Sequence, residues 1–362
     1  MRGPSVACRQ VLATCCAVSL AFAPVQGAQR AGRPASARPS KWIASRLVLG
    51  NFTTLISGSR GLYSVALSDG AEDVVRVSIS LRRVVARSAM FQRVGGLVTL
   101  EAGVWALTYK RNKVALLELN ASSLAIDGKV GLPVRTESEG AIGPIVAQGK
   151  YAWLALGCRL VEVDLDSHVV VRAVRTRLGR LGGTLCVTGL AVNAGVVYVA
   201  GTRSSSGRLV LEALSSSSGR FIARVSLPAP PDGVSLASAN NYLWAAGGDP
   251  GANGRLYLYK TQPLRLVGES GRTGRTQIQH LPVMSQFPEV NASGRSVWVG
   301  SDGLDACFST RTGKVLAVGM PSPVVVAGDF VVSDQRVFAL GVAGGKGAIL
   351  AVKAPGACLR GP

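Results

Sequence analysis

The chain has 362 residues, with 40 Lys and Arg against 20 Asp and Glu, so its formal net charge is +20. Hydrophobic residues make up 48% of the sequence, which excludes an intrinsically disordered chain. Only 2 His are present, which argues against a histidine-rich metal enzyme. The shortage of acids argues against a hydrolase built on paired carboxylates.

Residues 1–27 have the pattern of a secretory signal peptide. Arg2 and Arg9 supply the positive charge, residues 11–23 form an apolar run, and a permissive cleavage site follows Gly27. The alternative is an uncleaved membrane anchor. The pattern predicts an exported protein, either secreted or held at the cell surface.

Residues 28–40 contain no large apolar side chain and are predicted to be a flexible linker. Residues 41–362 then form a single domain. No later segment has about 18 uninterrupted apolar residues, so no membrane span is expected after the signal.

Three of the 7 cysteines lie in the predicted signal peptide, and four follow it. An even number in an exported protein favours disulfides. We expect one bond between Cys158 and Cys186, which fall at the same end of one repeat. A second bond, between Cys307 and Cys358, requires the C-terminal tail to fold back. Four buried thiols are the alternative, and the spacing fits no zinc site.

A repeat of about 46 residues is the strongest signal in the chain. Seven short segments share a polar turn followed by an aliphatic–aromatic–aliphatic run. Their aromatic residues are Tyr63, Trp105, Trp153, Tyr198, Trp244, Trp298 and Phe338. Apolar and alternating segments flank each of them, separated by turns that often contain Gly, and no long stretch has helical periodicity.

This pattern predicts an all-β chain, a seven-bladed β-propeller of four-stranded antiparallel blades. The aromatic residues are expected to act as wedges between neighbouring sheets. The last repeat has no clear fourth strand, whereas residues 41–49 form a strand with no repeat of its own. We therefore expect this N-terminal strand to pair with the last blade and close the ring.

Over residues 42–356 the repeats resemble those of secreted bacterial seven-bladed propellers of the YVTN/quinoprotein-like superfamily. That group includes virginiamycin B lyase-like proteins. The Thr-Gly-Lys-Val-Leu turn at residues 312–316 is similar to the turn of quinoprotein repeats. Quinone-dependent enzymes of the superfamily are larger rings with adjacent cysteines over the cofactor. The adjacent pair here, Cys15 and Cys16, lies in the signal peptide, so we expect no cofactor and no metal.

His280 is the candidate catalytic residue. It lies in the longest predicted connection between blades, and Glu269 and Glu289 flank that connection and could orient its imidazole. The resemblance to virginiamycin B lyase-like enzymes implies histidine chemistry of this general kind. An exposed loop histidine is the alternative. His168 falls at a predicted turn and is expected to be solvated.

The basic residues concentrate at one predicted face, where the second-to-third-strand hairpins and the crossings between blades meet. The candidate ligand-binding residues there are Arg111, Arg135, Arg175, Arg177, Arg180, Arg203, Arg272 and Arg275. Several acids share this face and should interrupt the basic patch. A net positive face attracts polyanions over about 10 Å at 0.1 M salt.

The sequence therefore favours an exported, monomeric, non-catalytic binding module. Its expected partner is an anionic polymer, a cell-wall component or an acidic protein. Nucleic acid is not expected, because no surface of interleaved aromatic residues is visible. The alternative is a propeller enzyme, a lyase or hydrolase that uses His280.

Overall fold

β-Strands account for nearly all the regular structure of this protein. The computed structural model describes residues 40–80, 82–100, 103–110, 113–135, 142–179, 186–202, 208–228, 234–247, 254–270, 289–300, 305–322 and 325–360. The predicted signal peptide and all but the last residue of the predicted linker lie outside these ranges.

The first strand, β1 (Ser40–Leu49), precedes three four-stranded antiparallel sheets, which we call blades 1 to 3. Blade 1 consists of β2 (Phe52–Gly58), β3 (Gly61–Ser68), β4 (Ala71–Ser78) and β5 (Arg83–Arg87). Blade 2 consists of β6 (Arg93–Thr99), β7 (Gly103–Lys110), β8 (Lys113–Asn120) and β9 (Ile126–Arg135). Blade 3 consists of β10 (Ile142–Gln148), β11 (Tyr151–Leu156), β12 (Arg159–Asp164) and β13 (Val169–Arg175).

Blades 4 to 7 follow in the same order of strands. Blade 4 consists of β14 (Val187–Asn193), β15 (Val196–Thr202), β16 (Leu209–Ser215) and β17 (Phe221–Ser226). Blade 5 consists of β18 (Val234–Ala239), β19 (Tyr242–Gly247), β20 (Arg255–Thr261) and β21 (Leu264–Glu269). Blade 6 consists of β22 (Glu289–Ser293), β23 (Ser296–Gly300), β24 (Asp305–Ser309) and β25 (Val315–Ser322). Blade 7 contains β26 (Val325–Ser333), β27 (Arg336–Ala343) and β28 (Lys346–Lys353), and the short helix α1 (Gly356–Arg360) ends the described chain.

Strand β1 supplies the missing fourth strand of blade 7. It pairs antiparallel with β28 from Ile43 to Leu49, which confirms the predicted closure of the ring. Its first residues, Ser40 to Ile43, also pair in parallel with β25 of blade 6. The N-terminal strand therefore joins blades 6 and 7 into one eight-stranded sheet, a connection that the sequence did not predict.

Hydrophobic packing between blades holds the ring together. Among the described residues, seven apolar clusters each combine side chains from two neighbouring blades, including blades 7 and 1. The seven repeated aromatic residues lie on the second strands and are at most 2% exposed, as predicted. Each packs toward the following blade; the Tyr63 hydroxyl, for example, donates a hydrogen bond of 2.7 Å to the Ala121 carbonyl of blade 2.

The innermost strand of each blade contacts the innermost strand of the next, and β2 contacts β26 to complete the circle. Glycine permits this close approach. A Cβ atom on Gly96 would lie 2.7 Å from Cγ2 of Ile145 in blade 3, and one on Gly189 would collide with the Val234 carbonyl of blade 5. Blade packing therefore excludes larger residues from these inner positions.

Both predicted disulfides are present. Cys158 and Cys186 are joined with their Cα atoms 4.9 Å apart, and Cys307 and Cys358 with theirs 5.8 Å apart. The second bond ties α1 back to blade 6, where the Ser296 hydroxyl donates a 2.6 Å hydrogen bond to the Cys358 carbonyl. Two disulfides indicate an oxidising compartment outside the cytoplasm. Within the described ranges, the single helix is too short to cross a membrane.

Replacing Trp42 tests whether β1 closes the ring. This side chain is 1% exposed, and its ring centroid lies 6.3 Å from Trp298 and 6.4 Å from Phe330. We expect Trp42→Ala to lower the free energy of unfolding, measured by urea denaturation, by about 3–5 kcal/mol. The neighbouring Ile43 is 56% exposed, so Ile43→Ala should change it by about 0.5 kcal/mol or less. Equal effects of both changes would contradict the closure.

Candidate functional site

The connections between strands divide the ring into two faces. We call the side with the second-to-third-strand hairpins and the blade-to-blade crossings the crossing face, and the opposite side the turn face. Of the predicted arginines on the crossing face, the structure describes the side chains of Arg175 and Arg177, and both are exposed. Arg135 ends β9, but its side chain lies outside the description. Five others lie wholly outside the described residues: Arg111, Arg180, Arg203, Arg272 and Arg275.

A cavity of about 460 Å³ occupies the centre of the ring. All seven innermost strands line it, through residues that include Thr54, Gly96, Ile145, Gly189, Ser235, Glu289 and Asp329. The other lining residues are glycine, proline, threonine and aliphatic residues. Within the described lining, the two carboxyl groups are the charged side chains, so the channel is locally acidic although the chain is strongly basic.

Glu289 and Asp329 lie on the neighbouring inner strands β22 and β26. Both line the channel, where the surrounding strands displace bulk water, although the Glu289 side chain remains exposed to the channel. This desolvation, together with the nearby Asp329 charge, raises the pKa of Glu289 to about 8. Desolvation also raises the pKa of Asp329 to about 6, although the Leu55 backbone N–H donates a 3.3 Å hydrogen bond to its Oδ2. The pair can therefore hold a proton near neutral pH.

The two predicted glutamates have different surroundings. Glu289 faces the channel, whereas Glu269 is fully buried at the end of the outer strand β21, where the Arg255 guanidinium donates a 2.7 Å hydrogen bond to it. His280 lies outside the described residues, so its proposed orientation by these glutamates stays a prediction. The sequence did not single out Asp329, although an acid within the apolar run of β26 is a usable signal.

Several other carboxylates on the third strands pair with arginines on the fourth strands of the same blades. Asp73 binds Arg87 at 3.0 Å in blade 1, and Glu162 binds Arg172 at 2.6 Å in blade 3. In blade 4, Glu212 binds Arg224. Each pair neutralises an arginine inside its own blade, so these arginines are poor candidates for ligand binding.

His168 lies at a turn, as predicted, but it is not simply solvated. Its Nε2 lies 2.9 Å from Oε2 of Glu118 in blade 2, and its ring makes an edge contact with Trp105, with centroids 5.1 Å apart. In the strand register Glu118 lies opposite Gly128, whereas the equivalent Glu162 of blade 3 lies opposite Arg172. The missing side chain leaves room for the imidazole, so His168 links blades 2 and 3 on the turn face.

Three arginines of blade 3 form a different arrangement on the crossing face. Arg159 begins β12 and lies directly opposite Arg175 in the strand register, and Arg177 follows two residues later. All three are exposed, and none forms an ion pair with another residue in the described part of the chain. We call Arg159, Arg175 and Arg177 the arginine triad.

The triad is built on a rigid frame. The Cys158–Cys186 disulfide ties the β11–β12 hairpin to the chain that enters blade 4. Thr176 donates two hydrogen bonds to the Cys158 carbonyl, 3.0 Å from its N–H and 2.9 Å from its Oγ1. Because Cys158 precedes Arg159 and Thr176 separates the other two arginines, these bonds fix the backbone that carries all three.

The residues at the crossing-face end of the third and fourth strands differ between blades. In blade 5, Glu269 neutralises Arg255, and in blade 1, Asp73 neutralises Arg87. In blade 2, the strand register instead places Lys113 opposite Arg135, and in blade 3 it pairs Arg159 with Arg175. Like charges placed opposite each other destabilise a sheet unless an anion compensates them. Blades 2 and 3 therefore each place two basic residues opposite each other at this position, which we call the basic corner.

No protein-family model matches the chain, and no curated protein matches its sequence. Its fold is nevertheless similar to that of several solved propellers. The chain of Kuenenia stuttgartiensis hydrazine synthase is 10% identical, with a TM-score of 0.59, and the match covers 83% of this chain and 95% of that one. The Neurospora crassa Pan2 WD40 domain is 11% identical, with a TM-score of 0.58 and coverages of 88% and 98%. BamB from Moraxella catarrhalis is 12% identical, with a TM-score of 0.51 and coverages of 84% and 85%. At these identities the likeness shows the fold alone.

The carboxyl pair predicts how stability depends on pH. Because the pKa of Glu289 and of Asp329 is raised in the folded state, the folded protein binds more protons than the unfolded chain. The free energy of unfolding should therefore decline as the pH rises from about 4.5 to about 8. Glu289→Gln should flatten this decline, as measured by urea denaturation across that range.

A matched control comes from Asp334, an exposed turn residue of blade 7, the blade of Asp329, with φ near 49°. Asparagine accepts this backbone conformation, so Asp334→Asn removes one acid without strain and should keep the wild-type pH dependence. An unchanged pH profile in Glu289→Gln would refute the proton-holding pair.

Proposed function

We propose that this protein is an exported, non-catalytic interaction module that binds an anionic partner through its crossing face. The proposed contact surface is the basic corner of blades 2 and 3, centred on the arginine triad. Residues 1–27 would direct export, and the two disulfides fit an oxidising destination. Among anionic partners we favour an acidic protein over a wall polymer.

The observation that carries this proposal is the pairing of Arg159 with Arg175 across the strand register. Two arginines placed opposite each other at an exposed corner repel, which costs stability unless an anion compensates them. An anionic partner would relieve this repulsion by binding both groups. Guanidinium groups also recognise carboxylates with bidentate hydrogen bonds, which suits an acidic protein.

Preorganisation adds to the case. The disulfide and the hydrogen bonds from Thr176 order the backbone before a partner arrives, so less conformational entropy is lost on binding. The net charge of +20 would also steer an anionic partner toward the protein at low ionic strength.

The structural comparisons are compatible with a binding role, but they are equally compatible with other functions. The similar chains belong to a WD40 domain, to BamB and to a hydrazine synthase, so one fold serves proteins of different kinds. Membership of the YVTN/quinoprotein-like superfamily stays a proposal, supported by the repeat spacing and by the turn at residues 312–316.

Polyglutamate, titrated at several salt concentrations, provides the test. Each exposed charge pair contributes modestly, so Arg159→Gln combined with Arg175→Gln should weaken binding about tenfold at low salt. Wild-type binding should also weaken steeply as salt is added, because exposed charges are screened.

The matched control is Arg83→Gln combined with Arg336→Gln. Both arginines are exposed and begin their strands at the turn face, so this double variant loses the same net charge at the opposite side of the ring. It should retain most of the binding. An equal loss of polyglutamate affinity in the two double variants would contradict a specific basic corner. An affinity that does not change with salt concentration would contradict it as well.

The central channel supports a second candidate function, a lyase or hydrolase. Its specific support is the proton held by Glu289 and Asp329 near neutral pH, which suits general acid–base chemistry. His280 would be its further catalytic residue. Mass spectrometry of small molecules released on denaturation would test this function. The enzyme function would be supported if the His280→Ala or Glu289→Gln variant releases a bound molecule and the wild type releases the same molecule in a chemically converted form.

A further inference from the structure

Exposed apolar side chains collect at the rim between blades 3 and 4. Eleven large apolar side chains are exposed among the described residues, and four of them lie here. Val169 is 54% and Val171 42% exposed on β13, and Phe221 is 36% and Ile222 53% exposed on β17. We call these four residues the rim strip. A cluster of this kind on a soluble protein marks a contact surface more often than scattered single residues do.

Contacts between the blades hold β13 against the turn that leads into β17. The Arg172 guanidinium of β13 donates a 2.5 Å hydrogen bond to the Ser217 carbonyl, in the turn that leads into β17. Gly219 of that turn lies so close to Val174 that an added Cβ would fall 2.6 Å from its Cγ2. Phe221 and Ile222 follow this turn directly, so the start of β17 lies beside the last residues of β13.

The rim strip also meets the arginine triad. The Arg177 guanidinium lies over the Phe221 ring, with 4.5 Å between its carbon and the ring centroid, and Arg224 approaches the same ring at 5.6 Å. Along β13 the exposed side chains change from valine at the start to arginine at the end. Apolar and basic side chains are therefore exposed on the same outer strand within seven residues, about 20 Å of strand.

We propose that the rim strip and the triad together bind one extended segment of a partner protein, in which an aliphatic block adjoins an acidic block. This proposal rests on the proposed function and names its partner more closely. The aliphatic block would cover the strip, and the acidic block would bind the triad.

Charge complementarity selects this occupant. A purely anionic polymer would bind the arginines but leave the valines, Phe221 and Ile222 in water. A second copy of this chain would bring another net charge of +20 against the same basic end. A segment with both blocks satisfies the apolar and the basic parts at once.

Two synthetic peptides test the proposal. One joins a block of valines to a block of aspartates, and the other has the same aspartates but serines in place of the valines. We expect the wild-type protein to bind the valine peptide at least about fivefold more tightly. Ile222→Ser and Val171→Thr should each reduce this preference while leaving the affinity for the serine peptide unchanged.

Ile43→Ser is the control, because Ile43 is 56% exposed on β1, outside blades 3 and 4. It should keep the preference for the valine peptide. Equal affinity of the wild type for both peptides would overturn the rim strip and leave the anion-binding function standing. Failure of both peptides to bind would overturn both proposals. Self-association abolished by Ile222→Ser would identify a second copy as the occupant and refute the partner segment.

Discussion

The fold depends on apolar packing between successive blades, with one large aromatic residue of each blade pressed against the next. A four-stranded sheet cannot cover both of its faces alone, so no blade is stable without two neighbours. This requirement makes the ring cooperative and its closure essential. Strand β1 meets the requirement by completing blade 7 and by pairing with blade 6, which leaves no end of the ring uncovered at that seam.

The same packing determines where chemistry can occur. Inner strands must approach closely, so glycine and small residues line the channel, and a carboxyl group placed there is flanked by protein. Desolvation then raises the pKa of Glu289 to about 8 and that of Asp329 to about 6, so the pair keeps a proton near neutral pH. The outer strands splay apart instead, so their side chains reach solvent and can contact large partners. The channel and the rim are therefore different kinds of site created by one architecture.

The sequence predicted the fold because the repeat is encoded locally. Alternating strands, glycine turns and one aromatic residue per unit are visible without knowing which residues meet in space. Residue pairs that depend on register were not visible. The role of Arg159 depends on its position opposite Arg175, and the role of Asp329 depends on its position near Glu289. The contacts of His168 depend on the space that Gly128 leaves open. The parallel contact of β1 with β25 likewise depends on three-dimensional proximity.

Net charge alone is a poor guide to the binding surface of this protein. Blades 1, 3, 4 and 5 each pair an arginine with a carboxylate between their third and fourth strands, so part of the basic excess is neutralised within the sheets. What remains for a partner is set by the positions where that pairing fails. At the corner of blade 3 the register opposes two arginines, and the disulfide holds them in place. The apolar rim strip lies beside these arginines. A surface that combines apolar and basic side chains can distinguish an acidic protein segment from a simple polyanion.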